Sequence, residues 1–201
     1  DFGKRLRSVL TENGVDCSHL HTKKELATGT AVITVTDTGD NSIVIAQGAN
    51  TLLNEKDIYD AKQIFEASDS ALFQMESPTP TVVAGLKLAR QIGCKTFLSA
   101  EPPFSLPNEA WKNIDYMILN EKSLSFYTGN HDNNADVETM ARELLARGVG
   151  CLVVTQSSKG GMIIEREGEA FSFEAFNIRS VDNTGARDAF CAGLCVALGE
   201  G

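Results

Sequence analysis

Between residues 71 and 155, short apolar runs alternate with helix-like stretches, and that alternation leaves few folds open to the chain. The runs are ALFQM (71–75), KTFLS (95–99), YMIL (116–119) and CLVVT (151–155). A helical pattern at about 80–92 has Pro80 near its first turn and Gly93 just past its end. A Pro-rich loop and a short helix around Trp111 follow the second run; a short helix and then a longer one, ADVETMARELLARG, follow the third. Strands that are apolar throughout are covered on both faces, and strand–helix units in series make a mostly parallel sheet. The expected fold class is therefore α/β, a doubly wound, mostly parallel sheet with helices on both faces. After CLVVT the order changes. MIIER (162–166) turns at Glu167–Gly168 into EAFSFEA, IRSV (178–181) reads as one more strand, and a helix from about Arg187 closes the chain.

The first part of the chain reads differently. An opening helix carries Phe2, Leu6, Val9 and Leu10 on one stripe and stops at Gly14. The run TAVITVTDTGDNSIVIA is two β-rich stretches around a loop at Asp37–Asn41, an antiparallel hairpin that does not fit a parallel sheet. Asn54 is placed to cap a helix from Glu55 to about Ala67, with Ile58, Ala61, Ile64 and Phe65 facing in. The expected organisation is one α/β domain over 1–201 with the hairpin of 28–50 inserted in it as an appendage. Residue 1 is Asp and the first helix is already under way, so the chain reads as a piece of a longer protein.

Charge and cysteine usage narrow the function classes. The formal net charge is −9, which makes the surface a poor partner for nucleic acid but leaves room for a small phosphorylated ligand held by local amides. No apolar run approaches the roughly 20 residues that span a bilayer, and no signal-peptide pattern is present, so neither membrane nor nucleic acid is an expected partner. The five cysteines, Cys17, Cys94, Cys151, Cys191 and Cys195, are odd in number and form no C-x-x-C; they read as reduced, buried thiols of a cytoplasmic protein. His19, His21 and His131 lie in polar stretches with no ligand pattern around them.

In open α/β sheets ligands bind at the carboxyl ends of the strands. The residues just past the apolar runs are Glu76, Glu101, Asn120, Thr155 and Asp182, expected at one edge of one sheet. Ordinary turn chemistry would place polar residues there too. The segment VDNTGARDAF (181–190) adds more: Thr184, Gly185 and Ala186 are small enough to expose the backbone at the start of a helix whose first N–H groups lack partners. Asp188 in the first turn either complements the helix dipole, worth about 0.3–1 kcal/mol, or takes a proton from a hydroxyl beside a bound phosphoryl group. QSSKGG (156–161) is a Gly/Ser-rich loop that serves equally as a hairpin turn or as a nucleotide loop, and it lacks P-loop spacing.

VDNTGARDAF resembles the D-T-x-G-A-G-D-x-F signature of the ribokinase-like carbohydrate kinases. The segments DFGKRL, ENGVD, TGTAVITV, NSIVIAQGAN, FQMESP, SLP, NEKSLSFYTG and VTQSSKGG follow in the order of that family, so the resemblance covers nearly the whole chain. It implies transfer of the γ-phosphoryl of ATP to a sugar hydroxyl, with D-ribose as the expected acceptor and ribose 5-phosphate as product. In that reading Asp188 is the catalytic base and also contacts the sugar, and the N–H groups of Gly185, Ala186 and Arg187 form the anion hole. Glu76 binds the sugar. Asn120, Thr155, Ser157, Lys159 and Gly160 line the nucleotide site. Asp182 and the Thr184 carbonyl belong to a monovalent-cation site, normally K+, and Glu121 is the candidate for the Mg2+ shell. The hairpin corresponds to a lid over the sugar, through which a homodimer is expected to form. The resemblance also implies missing parts at both ends: a first strand with a sugar-binding Asp, and the remainder of the adenine pocket.

Three residues depart from the family pattern. Arg187 stands where a Gly is usual, Ser123 where N-x-x-E has its Glu, and Ser157 where T-x-G-S-x-G has its first Gly. Arg187 has three readings: it reaches the phosphates, plugs the site or distorts the turn. The sequence favours harm, and with it a gain of turnover on Arg187→Gly. The alternative function is a catalytically impaired relative that binds sugar or nucleotide.

Overall fold

In the computed structural model, which describes residues 2–35, 41–132, 135–179 and 182–200, the chain opens with helix α1 (Phe2–Glu12). Gly14 follows with φ 78°, the left-handed conformation that ends a helix most easily without a Cβ. The apolar stripe of α1 has no cover among the described residues: Phe2 and Leu6 are exposed. Strands β1 (Thr30–Val35) and β2 (Asn41–Ala46) pair antiparallel as a separate two-stranded sheet, with Val32 opposite Val44 and Ile33 opposite Ile43. These four side chains are exposed, so apolar residues stand on both faces of the hairpin. Of the loop assigned at Asp37–Asn41, all but Asn41 lies outside the described residues.

The helix expected over 55–67 is two helices, α2 (Glu55–Asp60) and α3 (Lys62–Glu66), broken at Ala61. Asn54 caps α2 by accepting from the Lys56 N–H, and the Asp57 carboxylate returns a bond from the Asn54 N–H, a reciprocal box. The two halves are anchored to different places. α2 is tied by Lys23 to Asp57 at 3.1 Å, whereas Phe65 of α3 offers its carbonyl to the Cys94 thiol at 2.9 Å. Separate anchors are better served by two short segments than by one straight rod. Ile64, expected to face in, is exposed; Ile58, Ala61 and Phe65 are half-buried.

The apolar runs form β3 (Ser70–Gln74), β4 (Lys95–Ser99), β5 (Tyr116–Asn120) and β6 (Cys151–Thr155), all mutually parallel. They are linked by α4 (Thr79–Ile92), α5 (Asn108–Trp111), α6 (Glu121–Thr128) and α7 (Val137–Ala146). Strands β7 (Gly161–Glu165) and β8 (Ala170–Phe173) extend the sheet antiparallel, giving the order β3-β4-β5-β6-β7-β8. Helix α8 (Ala186–Glu200) completes the fold. Of the strand expected at IRSV, Ile178 and Arg179 are in no strand, and Ser180 and Val181 lie outside the described residues. Among the described residues nothing pairs with the outer side of β8, and a strand without a neighbour leaves its backbone to water.

The two-residue period of the strands divides the core. Leu98, Met117, Leu119, Leu152 and Val154 pack with Leu86, Leu124 and Leu144 of α4, α6 and α7. Their sequence neighbours Phe97, Ile118, Cys151 and Val153 point the other way, onto Cys191, Leu194 and Leu198 of α8. Helices therefore cover both faces, as expected. Because β3 to β6 are parallel and in sequence order, their carboxyl ends share one edge, and α8 begins beside that edge.

Candidate active site

Four of the five polar residues expected at the carboxyl edge are there: Glu76 after β3, Glu101 after β4, Asn120 at the end of β5 and Thr155 at the end of β6. The fifth, Asp182, follows residues outside the described ones. It lies in the turn before α8, where its Oδ1 accepts from the Thr184 N–H at 2.8 Å. That hydrogen bond holds its carboxyl below the ordinary carboxylate value.

Glu76, Gly185, Arg187 and Asp188 line a single cleft of about 260 Å³, with Gln74, Ser99, Glu101, Pro102 and Asn183. The strand ends form one wall and the first turn of α8 the other. Gln74 orders the strand side: its Nε2 donates to the Glu101 carbonyl at 3.2 Å and its Oε1 accepts from the Glu76 N–H at 3.1 Å. The Glu101–Pro102 peptide is cis. On the helix side Gly185 has φ 74°, and an added Cβ would meet nothing within 4 Å, so glycine here serves backbone conformation rather than packing. Ala186 donates its N–H to the Asn183 carbonyl at 3.1 Å. Of the three amides expected to face an anion, that one is already engaged.

Glu101 is the residue that sequence reasoning passed over as a functional group, although it was counted at the strand edge. Its side chain is 5% exposed. One oxygen accepts from the Asn120 N–H at 2.6 Å and the other pairs with the Arg187 guanidinium. A buried carboxylate needs such partners to remain charged. The signal for it in the sequence is a Glu just past the second strand-like run, in AEPP.

The expected nucleotide residues form a second group along the same edge. Asn120 uses its Oδ1 to cap α6 through the Ser123 N–H at 2.9 Å. Ser123 itself is buried. Thr155 donates its hydroxyl to the Leu119 carbonyl at 3.4 Å, joining β6 to β5. Gln156 donates to Glu121 Oε1 at 3.0 Å, so the loop after β6 is tied to the start of α6. Ser157 and Lys159 are exposed on a short 3-10 turn, and Ser157 has φ 53°, a conformation that glycine adopts more easily. Gly160, at φ 91°, is buried, and a Cβ there would lie 1.9 Å from the Phe173 carbonyl oxygen. The two groups meet at the Glu101–Asn120 hydrogen bond.

Among the described residues no group of three or more His, Cys, Asp or Glu is placed to hold a metal ion, and no helix is long and apolar enough to cross a membrane. All five cysteines are free thiols; Cys94, Cys151 and Cys191 are buried, whereas Cys17 and Cys195 are only half-buried, against expectation. Cys191 sits beneath the cleft, where burial pushes its thiol up and a hydrogen bond with Ser99 partly offsets this.

Over residues 1–201 the sequence matches the pfkB family of carbohydrate kinases. The chain belongs to that family. A ribokinase of Haemophilus influenzae is 29% identical over 200 residues, which cover 99% of this chain and 65% of that protein. The crystal structure of a ribokinase from Thermotoga maritima superposes with a TM-score of 0.88 at 28% identity, over 100% of this chain and 65% of that one. The structure of the Arabidopsis thaliana ribokinase, complexed with ribose and ATP, gives 0.81 at 28% identity, over 88% and 58%. The chain thus spans less than two thirds of the length of these relatives. Over the matched part, that Thermotoga maritima structure shares the architecture described above: a mixed six-stranded sheet, helices on both faces, and a separate two-stranded sheet.

Proposed function

We infer that the protein to which this chain belongs is an ATP-dependent sugar kinase and that D-ribose, giving ribose 5-phosphate, is its acceptor. One observation carries the reading: Asp188, in the first turn of α8, and Glu76, after β3, line the same cleft at the carboxyl edge of the parallel strands. A carboxylate that orients a polyol and a second beside exposed helix-start amides are the two parts that phosphoryl transfer to an alcohol needs. The ribokinase names carried by several relatives support ribose over other sugars.

In this reading Asp188 takes the proton of the attacking hydroxyl as that oxygen bonds to the γ-phosphorus of ATP, and ADP leaves with the electron pair of the broken P–O bond. The amides of Gly185 and Arg187 face the charge that develops on the phosphoryl oxygens. Glu76 holds the sugar. Asn120, Thr155, Ser157, Lys159 and Gly160 border the nucleotide. Glu121 offers a hard oxygen donor at the start of α6, suited to the water shell of a nucleotide-bound Mg2+, which neutralises phosphate charge when present. The Asp182 carboxylate and the Thr184 carbonyl, joined in one turn, are donors of the type K+ prefers. The hairpin serves as a lid, and its exposed apolar faces suit a homodimer contact. Free thiols fit a cytoplasmic protein.

The test is a phosphorylation assay on the full-length protein with ATP and ribose, fructose or adenosine as acceptor. Ribose-dependent ADP release is the expected result. Sugar binding without turnover on any acceptor would refute the kinase reading.

A further inference from the structure

The ion pair between Arg187 and Glu101 crosses the cleft from helix to sheet, and its two ends are unequal. Glu101 is 5% exposed and Arg187 is 46% exposed. The carboxylate is fixed: one oxygen is held by the Asn120 N–H at the junction of β5 and α6, and its own carbonyl is held by Gln74. The guanidinium is the movable end, a charged head on a flexible stem at the rim. The backbone at Arg187 is ordinary helix, outside the left-handed region, so the residue does not strain the turn. Three carboxylates line this cleft, Glu76, Glu101 and Asp188, against one guanidinium. Removing that cation alone would leave a buried carboxylate without its counter-ion in a cleft that must accept phosphate.

We propose that Glu101 is a positioning residue that keeps the Arg187 guanidinium as its own counter-ion, so that the pair bars the phosphoryl end of the cleft and a donor phosphate binds only by taking the guanidinium from Glu101. This rests on the kinase reading above and adds a residue that sets donor affinity. Glu101 and Arg187 then act as one unit. Glycine at 187, which the sequence pattern favours as an opening of the site, does not open it while Glu101 remains.

The experiment is a double-mutant cycle in the full-length protein with Glu101→Gln, Arg187→Gly and both together. Calorimetry reads the binding of ATP and of inorganic tripolyphosphate, with ribose binding as the control for an intact cleft. Glu101→Gln frees the guanidinium and is expected to tighten tripolyphosphate by about tenfold, the step set by one charge-assisted contact. Arg187→Gly weakens it, and the double variant binds more tightly than Arg187→Gly. Additive effects, or tighter binding by Arg187→Gly alone, would overturn the proposal. Should Arg187→Gly fail to fold, Glu101→Gln, nearly the same shape, decides alone: tripolyphosphate binding no tighter than in the unmodified protein refutes it. Turnover is scored separately. A coupled cycle in a protein that phosphorylates no sugar sinks the kinase reading and spares the pair, and an additive cycle in an active kinase does the reverse.

Discussion

Phe97 of β4 stacks on Tyr116 of β5 with ring centroids 4.9 Å apart and planes 11° from parallel. The pair lies on the sheet face that receives α8, and Phe97 is fully buried there with Cys191 and Leu194 nearby. Helix α8 thus reaches the cleft from an aromatic seat. Phe97→Ala should cost about 3–5 kcal/mol of folding stability, through lost burial and the cavity left behind. Urea unfolding measures it. A loss below 1 kcal/mol would mean that α8 is not seated on this pair.

The loop after β6 contains two residues at positive φ with opposite expectations. At Ser157, φ 53°, a side chain is carried in a conformation that costs an L-residue about 1–2 kcal/mol. Ser157→Gly removes that cost and gives back part of it in unfolded-chain entropy, for a net gain of about 0.5 kcal/mol. At Gly160, φ 91°, the new Cβ of Gly160→Ala would meet the Phe173 carbonyl oxygen at 1.9 Å, a contact the loop cannot keep. That substitution should lower stability by more than about 2 kcal/mol and loosen the join of β7 to β8. Thermal melts of both variants check the sign of each change.

Burial pushes the Cys151 thiol from its ordinary 9.0 up to about 11. The folded protein therefore holds this proton more tightly than the unfolded chain does. Its contribution is fully present below pH 9 and is lost as pH rises towards about 11. Two units correspond to about 3 kcal/mol. Denaturant midpoints should fall through this alkaline window, and Cys151→Ala should flatten the fall while lowering stability at neutral pH. An unchanged slope in the variant would remove Cys151 as the cause.

What the sequence disclosed was local, and what it withheld was tertiary. Cys151, Leu152, Val153 and Val154 sit in one uninterrupted apolar run, and that run alone indicates a strand buried on both sides. Asn54 announces its helix because a cap is a contact within three residues. The break at Ala61 escapes notice because neither Gly nor Pro stands there; the two halves have separate distant partners, Lys23 for α2 and Cys94 for α3. In the cleft, Glu76 and Asp188 were legible from their motifs. The pairing of Glu101 with Arg187 was not, because the strand-edge rule brings both segments to one edge but does not say which side chains meet across it.

Glu76 and Asp188 face one cleft from different elements, and their substitutions should separate kinetically. Asp188→Asn keeps shape and hydrogen bonding but cannot take a proton. In the full-length protein kcat should fall by about 10²–10⁴-fold with the KM for ribose nearly unchanged. Glu76→Gln weakens the grip on the sugar, so the KM for ribose should rise by about tenfold, as expected for one lost charge-assisted hydrogen bond, with a smaller effect on kcat. Steady-state kinetics on the two variants distinguish the roles. If Asp188→Asn raised KM and left kcat intact, the carboxylate would be a sugar ligand only, and the base would have to be sought elsewhere along the edge formed by β3 to β6.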